Sequence, residues 1–434
     1  MSENISGDTS PKKIKILTLS DHPLSPSGVG TQTKYFIEGL LRTGKYEFFS
    51  LAGAMKHHDY KPIVTPEYGE SWKIVPIDGY GNKDVIRSLI RSERPDVLWF
   101  MTDPRFWGWL WEMDNEIRPM IPMVYYHVWD NYPYPTFNKK YYDSNDLVVT
   151  ISKVTDDIVR TVSPDVPVKR IGHVPGPAYI KLPEEEIRQF RQEALGEKNE
   201  DKMVFFWNNR NARRKQSGSL IYWFKKFLDK VGHDKAMLIM HTDPTDQHGQ
   251  DLEYILRELG ITDGQVMLSK EKLPEPILAK IYNMVDCTIN ISDAEGFGLA
   301  TLESLACGTP ILVNKTGGLQ EQVTDGKKYF GIGLDPTSKA IIGSQNIPAI
   351  YEDRLSEEVV VEALERFYNF SQKERDKLGE LGRQHVEKNY SLNKAIETWD
   401  DTIQDLHEHC GSWETRKNYK PWTLQEITKR KKAA

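Results

Sequence analysis

Cysteine is scarce: Cys287, Cys307 and Cys410 are the three in 434 residues, and no disulfide or metal-ligand spacing relates them. That usage fits a reducing compartment and gives a cytoplasmic expectation. No apolar run approaches the ~18–20 residues that a membrane-spanning helix needs, so no transmembrane segment is expected. The opening residues 1–13, MSENISGDTSPKK, lack the apolar core of a secretory leader and read as a disordered lead-in. A basic excess is also missing. Lys and Arg number 57 against 63 Asp and Glu, a net charge of −6, which gives no general support for a nucleic-acid partner. No Asp-x-Asp metal motif and no internal repeat of 20–50 residues appears, so no metal is expected.

The length suits two or three domains. A hydrophobic content of 39% beside 28% charged residues reads as soluble and globular. The most informative stretch is residues 287–313, CTINISDAEGFGLATLESLACGTPILV. Thr288 to Ser292 alternates like a strand, and Asp293 to Gly298 is a glycine-bearing loop. Leu299, Leu302, Leu305 and Ala306 fall at helical spacing, and Gly308 with Pro310 stops that helix. Ile311 starts another strand. Gly296 and Gly298 let a ligand approach the backbone. The helix start presents unpaired amides to an anion. Glu295 and Glu303 are acceptors suited to sugar hydroxyls.

This segment, EGFGLATLE followed by ACGTPIL and Gly317-Gly318-x-x-Glu321, closely resembles the E-x7-E signature of GT-B glycosyltransferases of the GT4 type. The resemblance implies a retaining, nucleotide-sugar-dependent enzyme. It places Glu295 at the transferred sugar, Glu303 at the ribose, and Gly296, Phe297, Gly298 and Leu299 in the donor loop.

In chain order, Ile14 to Leu19 is a strand and SDHPLSPSGVGTQT a glycine loop, with a helix from about Lys34 to Leu41. Together they open a doubly wound domain. Thr33 stands where a dinucleotide fingerprint needs its third glycine, which argues against a nicotinamide site. By resemblance, Gly28 and Gly30 approach the donor; a tight turn is the plainer alternative. Strands follow at Asp96–Met101, Met123–His127, Leu147–Ile151 and Lys169–Val174. Residues 99–142 hold five of the eleven tryptophans and six tyrosines. Such rings stack on sugars and bases, and they also fill cores. His127 ends its strand, where open α/β sheets bind ligands. By resemblance it is the catalytic-site histidine near the donor sugar.

Pro175–Pro183 reads as an interdomain linker. Helix Glu184–Leu195 and strand Met203–Trp207 then open a second series. NNRNARRKQSG, residues 208–218, follows that strand. Arg210 and Lys215 carry the offset of the family's basic pair that grips the donor diphosphate. Arg213 and Arg214 compete with them, and Gln216 stands where the family usually has glycine. By resemblance the Leu268–Lys270 corner lies near the donor base. Residues 331–351 depart from the family and read as an insertion or long loop. Helices are expected over Glu357–Phe370, Lys373–Asn389 and Leu392–His407. The tail, 411–434, carries seven basic residues against two acids, a net charge of +5. It reads as a solvated segment or a peripheral contact for an anionic surface.

The sequence therefore predicts an α/β protein of GT-B type, with two doubly wound Rossmann-like domains facing a central cleft. The expected parts are an acceptor domain (14–180), a nucleotide-sugar domain (181–390), a helix returning to the first domain (391–410) and a basic tail (411–434). The expected donor is a nucleotide-diphosphate sugar of UDP or GDP type, with no further cofactor. The expected acceptor is a hydroxyl of a glycan, lipid or small molecule. Two alternatives stay open: a viral-type DNA-modifying glycosyltransferase, and a GT-B nucleotide-sugar epimerase or non-catalytic nucleotide-sugar-binding protein.

Overall fold

The computed structural model describes residues 12–421. The first sheet contains β1 (Ile14–Asp21), β2 (Tyr46–Gly53), β3 (Ile63–Val64), β4 (Trp72–Pro76), β5 (Val97–Thr102), β6 (Met123–His127), β7 (Leu147–Thr150) and β8 (Val168–Arg170). Their order is β3-β4-β2-β1-β5-β6-β7-β8. Only β3 against β4 is antiparallel. All six residues of β5, VLWFMT, are buried, as a parallel strand covered on both faces demands.

The second sheet contains β9 (Met203–Asn208), β10 (Ala236–His241), β11 (Val266–Ser269), β12 (Cys287–Asn290), β13 (Ile311–Asn314) and β14 (Gly331–Leu334). It runs β11-β10-β9-β12-β13-β14 and is parallel throughout. Strand order reverses between β1 and β5 and between β9 and β12. Open α/β sheets bind ligands at such switch points, beyond the carboxyl ends of the strands. The loops there are the glycine loop after β1, the basic loop after β9 and the Asp293–Gly298 loop after β12.

The aromatic belt is mainly core. Trp99, Trp107, Trp111 and Trp129 are all buried. Phe100 meets Trp107, Trp111 and Tyr125 at 5.1–5.7 Å between ring centroids.

Residues 331–351 are not a loop. They contain β14 and most of a hairpin of β15 (Ser338–Ser344) and β16 (Ile347–Arg354). β15 reads SKAIIGS and is largely exposed, so it lacks the apolar alternation that marks a half-buried strand. The hairpin spans the two domains. The Asn131 side-chain amide donates to the Tyr351 carbonyl at 2.8 Å, and the Tyr351 amide donates to the Tyr132 carbonyl. Ile347 is buried in the apolar cluster that contains Trp107 and Trp129.

The final helix, Leu392–Cys410, returns to the first domain. Trp399, 3% exposed, packs against Phe36 at 4.8 Å and Tyr126 at 5.1 Å. Gly39 on the facing helix admits Ile396, since a Cβ there would lie 2.2 Å from its Cδ1. Asp400 accepts from the Tyr46 hydroxyl and the Lys45 ammonium, both at 2.6 Å.

The expectation of a solvated tail is corrected for its first part. Ser412 Oγ donates to Asp96 at 2.6 Å, and the Trp413 indole donates to the Pro95 carbonyl at 2.9 Å. The Arg416 side chain is buried against Asp146 at 2.7 Å. Here a basic residue fills an acidic notch instead of facing water. Residues 422–434, with Lys429, Arg430, Lys431 and Lys432, and residues 1–11 of the lead-in lie outside the described residues.

Candidate functional site

The loop after β12 is held from behind. The Gly318 amide donates to the Glu295 carbonyl at 3.0 Å. A Cβ on Gly317 would sit 1.7 Å from that same oxygen, and one on Gly318 would sit 2.6 Å from the Gly296 carbonyl. The Gly-Gly pair thus shapes the loop by close backbone approach. Gly298 adopts φ +90 just before the helix Leu299–Ala306. The Phe297 side chain is buried against His173, 5.0 Å between centroids.

Lys215 reaches this loop from the end of the basic segment, and its ammonium is ion-paired with Glu295. Burial raises the Glu295 carboxyl, but the Lys215 and Arg214 charges outweigh it and hold the group below its ordinary value. Burial and Arg214 lower Lys215, while Glu295 works against them. Gln216, where the resemblance leads one to expect glycine, adopts the left-handed conformation at φ +58. Its amide donates to Asp293 at 2.6 Å, which offsets the strain with a hydrogen bond across the site.

The three arginines separate. Arg210 is 61% exposed and paired with Asp246 at 2.6 Å and His248 at 2.7 Å. Arg213 pairs with Glu352 of the hairpin. Arg214 donates to the Ala294 carbonyl at 2.8 Å and lies 3.2 Å from Asp130 of the first domain.

Glu303 lies deeper, on the helix Leu299–Ala306. It accepts from the Tyr282 hydroxyl at 2.9 Å, and Tyr282 in turn accepts from Asn208 at 2.8 Å. Burial raises the Glu303 carboxyl to about 8, the Glu275 charge adds to the rise, and the Tyr282 hydrogen bond opposes it. Glu303 is therefore largely protonated at neutral pH. Glu275 also accepts from Tyr35 of the first domain at 2.7 Å.

On the opposite wall, Ser27 caps the helix Gly28–Arg42 by accepting from the Gly30 amide at 2.9 Å. This cap starts the helix six residues before Lys34. A Cβ on Gly30 would lie 2.5 Å from the His22 carbonyl, so this glycine serves the turn. Gly28 faces the partner domain, and a Cβ there would stand 3.0 Å from Leu299 Cδ1. The two glycine-bearing loops thus meet head to head.

His127 departs from expectation. It ends β6, but its ring is fully buried. Tyr125 spends its proton on the Thr102 carbonyl at 2.7 Å, so its oxygen accepts from His127 Nδ1 at 3.2 Å. Tyr142 donates to Nε2 at 3.0 Å. Burial pulls the imidazole down to about 3, so it is neutral, with both nitrogens engaged away from the cleft. The residue of that strand end that does reach the donor loop is Asp130. A Cβ on Gly296 would lie 2.6 Å from its Oδ1. Asp130 and Glu275 were missed from sequence, and Arg214 was weighed there as a competitor of Arg210 and Lys215. For Asp130, an acid just past a strand end was the available signal; long-range pairing gave none for Glu275.

Among the described residues no group of three or more His, Cys, Asp or Glu side chains is placed to hold a metal, and no helix is long and apolar enough to cross a membrane.

Residues 188–384 match the family model described as glycosyl transferases group 1. A D-inositol 3-phosphate glycosyltransferase of Thermomonospora curvata is 38% identical over 94 residues, 21% of each chain. An uncharacterized glycosyltransferase of Methanocaldococcus jannaschii is 31% identical over 178 residues, 40% of this chain and 43% of its own. The chain thus spans less than half the length of these curated relatives. Among solved structures, the sucrose-phosphate synthase of Thermosynechococcus elongatus superposes at TM-score 0.72 with 15% identity, over 91% of this chain and 100% of its own. HepE of Anabaena, in complex with UDP and glucose, superposes at 0.65 with 13% identity, over 90% and 99%. Residues 188–384 are thus similar to the glycosyl transferases group 1 family, and the chain that carries them has the GT-B fold.

Proposed function

We propose that the protein is a retaining glycosyltransferase that moves a sugar from a nucleoside-diphosphate sugar to an acceptor hydroxyl. The observation that carries this reading is the Lys215–Glu295 pair, set between a helix start and the first domain's glycine loop. As the glycosidic bond breaks, the leaving diphosphate gains negative charge, and preplaced cations stabilise it. Lys215 is one such cation. Arg210 is the second: its pairing with Asp246 is exposed, and exposed pairs are worth only about 0–1 kcal/mol, so a diphosphate draws it away at little cost. Glu295 then serves the sugar hydroxyls and Glu303 the ribose. The UDP in the HepE structure supports a UDP-type donor. The leaving phosphate takes the acceptor proton on the same face, which gives retention. The compartment proposed is the cytoplasm.

Incubation with a panel of nucleotide sugars tests this reading. Release of nucleoside diphosphate with transfer or hydrolysis is the expected result. An isomerised sugar would indicate an epimerase, and binding without turnover a non-catalytic subunit.

A further inference from the structure

A second cavity, of about 1000 Å³, opens at the seam between the domains, lined by none of the donor-loop residues. Lys153 and Arg170, at the ends of β7 and β8, form one wall. Thr324 to Lys328 and the helix Gln372–Asn389 form the other, and the chain crosses back at Tyr390 to Lys394. Phe330 and Tyr390 give it an apolar floor.

Besides Lys153, which pairs with Asp157 at 2.6 Å, five cations line this space: Arg170, Lys327, Lys328, Lys388 and Lys394. All are exposed, and none has an ion-pair partner among the described residues. Two carboxylates also line it, and both accept from backbone amides. Glu321 accepts from the Lys153 amide at 2.9 Å, and Asp325 accepts from the Lys327 and Lys328 amides at 2.8 and 2.7 Å. In a chain of net charge −6, these cations outnumber the two carboxylates that line the cavity. Cations of one sign around low-dielectric walls focus the field and concentrate polyvalent anions. Arginine grips phosphate bidentately and lysine as a point charge. The volume suits a small ligand.

We infer that the seam binds a small molecule carrying two or more phosphate charges, held by Arg170 on one domain and by Lys327, Lys328 and Lys388 on the other. Such a ligand ties the two domains together, and the site is separate from the donor cleft whatever the cleft's reaction is.

The test is calorimetric titration of the full chain with inorganic pyrophosphate at fixed ionic strength. Lys215→Ala, which disables the donor side, should still bind it. In that background, adding Arg170→Glu with Lys328→Glu should weaken binding about tenfold or more, as loss of charge-assisted contacts requires. Lys388→Glu with Lys394→Glu serves as an independent second pair, with circular dichroism checking the fold. The inference is overturned if Lys215→Ala alone abolishes binding, if both charge-reversed pairs bind like their parent, or if millimolar pyrophosphate gives no more heat than chloride.

Discussion

Lys215 and Glu295 are buried partners, so each change exposes the other's need for a counter-charge. Lys215→Ala should lower turnover by about 10²-fold or more, the scale for one preorganised charge stabiliser. Arg210→Ala should weaken donor use while leaving the melting temperature nearly unchanged, because its pairing is exposed. Steady-state kinetics and thermal melts on both variants check this. Glu303 gives a pH prediction. Its folded-state value, about 8, lies above the ordinary 4.5, so the folded chain holds this proton more tightly than the unfolded chain. The group's contribution is fully present below about pH 4.5 and is lost as pH rises through about 8, at up to ~1.4 kcal/mol per unit. Glu303→Gln removes that loss, so its stability advantage over the parent should grow between pH 5 and pH 8 in denaturant melts. For His127, removal leaves the Tyr142 hydroxyl without its acceptor while Tyr125 keeps Thr102, and His127→Phe should cost about 1–3 kcal/mol of stability. The acids and glycines of the donor loop were legible because backbone geometry fixes their spacing. The direction of the His127 ring was not, because two tyrosines decide it through packing, one of them fifteen residues away.

Elements were legible where their pattern was regular. β6 and the helix Glu184–Leu195 have the bounds expected from periodicity. The hairpin after β14 was hidden because β15 buries little. The start of the tail was hidden because its anchors, Asp96 and Asp146, lie hundreds of residues earlier. Its burial sets a truncation prediction. A chain ending at Cys410 loses the buried Arg416–Asp146 pair and the Ser412–Asp96 bond. Hydrogen bonds to charged groups are worth about 1.5–3 kcal/mol each, so this chain should melt earlier than the full chain. A chain ending at Asn389 also loses Trp399 from the first domain's core and should fare worse, since removing a buried tryptophan side chain alone costs about 3–5 kcal/mol. Limited proteolysis with thermal melts ranks the three chains; equal stability of all of them would contradict the crossing.

At the scale of the molecule, the domains meet through Tyr35–Glu275, Arg214–Asp130, the Lys153 amide with Glu321, and the hairpin. These contacts bring the glycine loop of one sheet against the donor loop of the other, which creates one cleft from two switch points. The central claim is that this cleft uses a nucleoside-diphosphate sugar, with Lys215 on its diphosphate and Glu295 on its sugar. The most direct measurement is parallel titration of Glu295→Ala and the parent chain with the preferred intact donor and with its nucleoside diphosphate. Glu295→Ala should bind the nucleoside diphosphate nearly as the parent does and lose affinity for the intact donor, because only the donor carries the sugar. Loss of charge-assisted bonds sets that difference at about 1.5–3 kcal/mol. Equal loss for both ligands, or no binding of any nucleotide sugar by the parent chain, would contradict it.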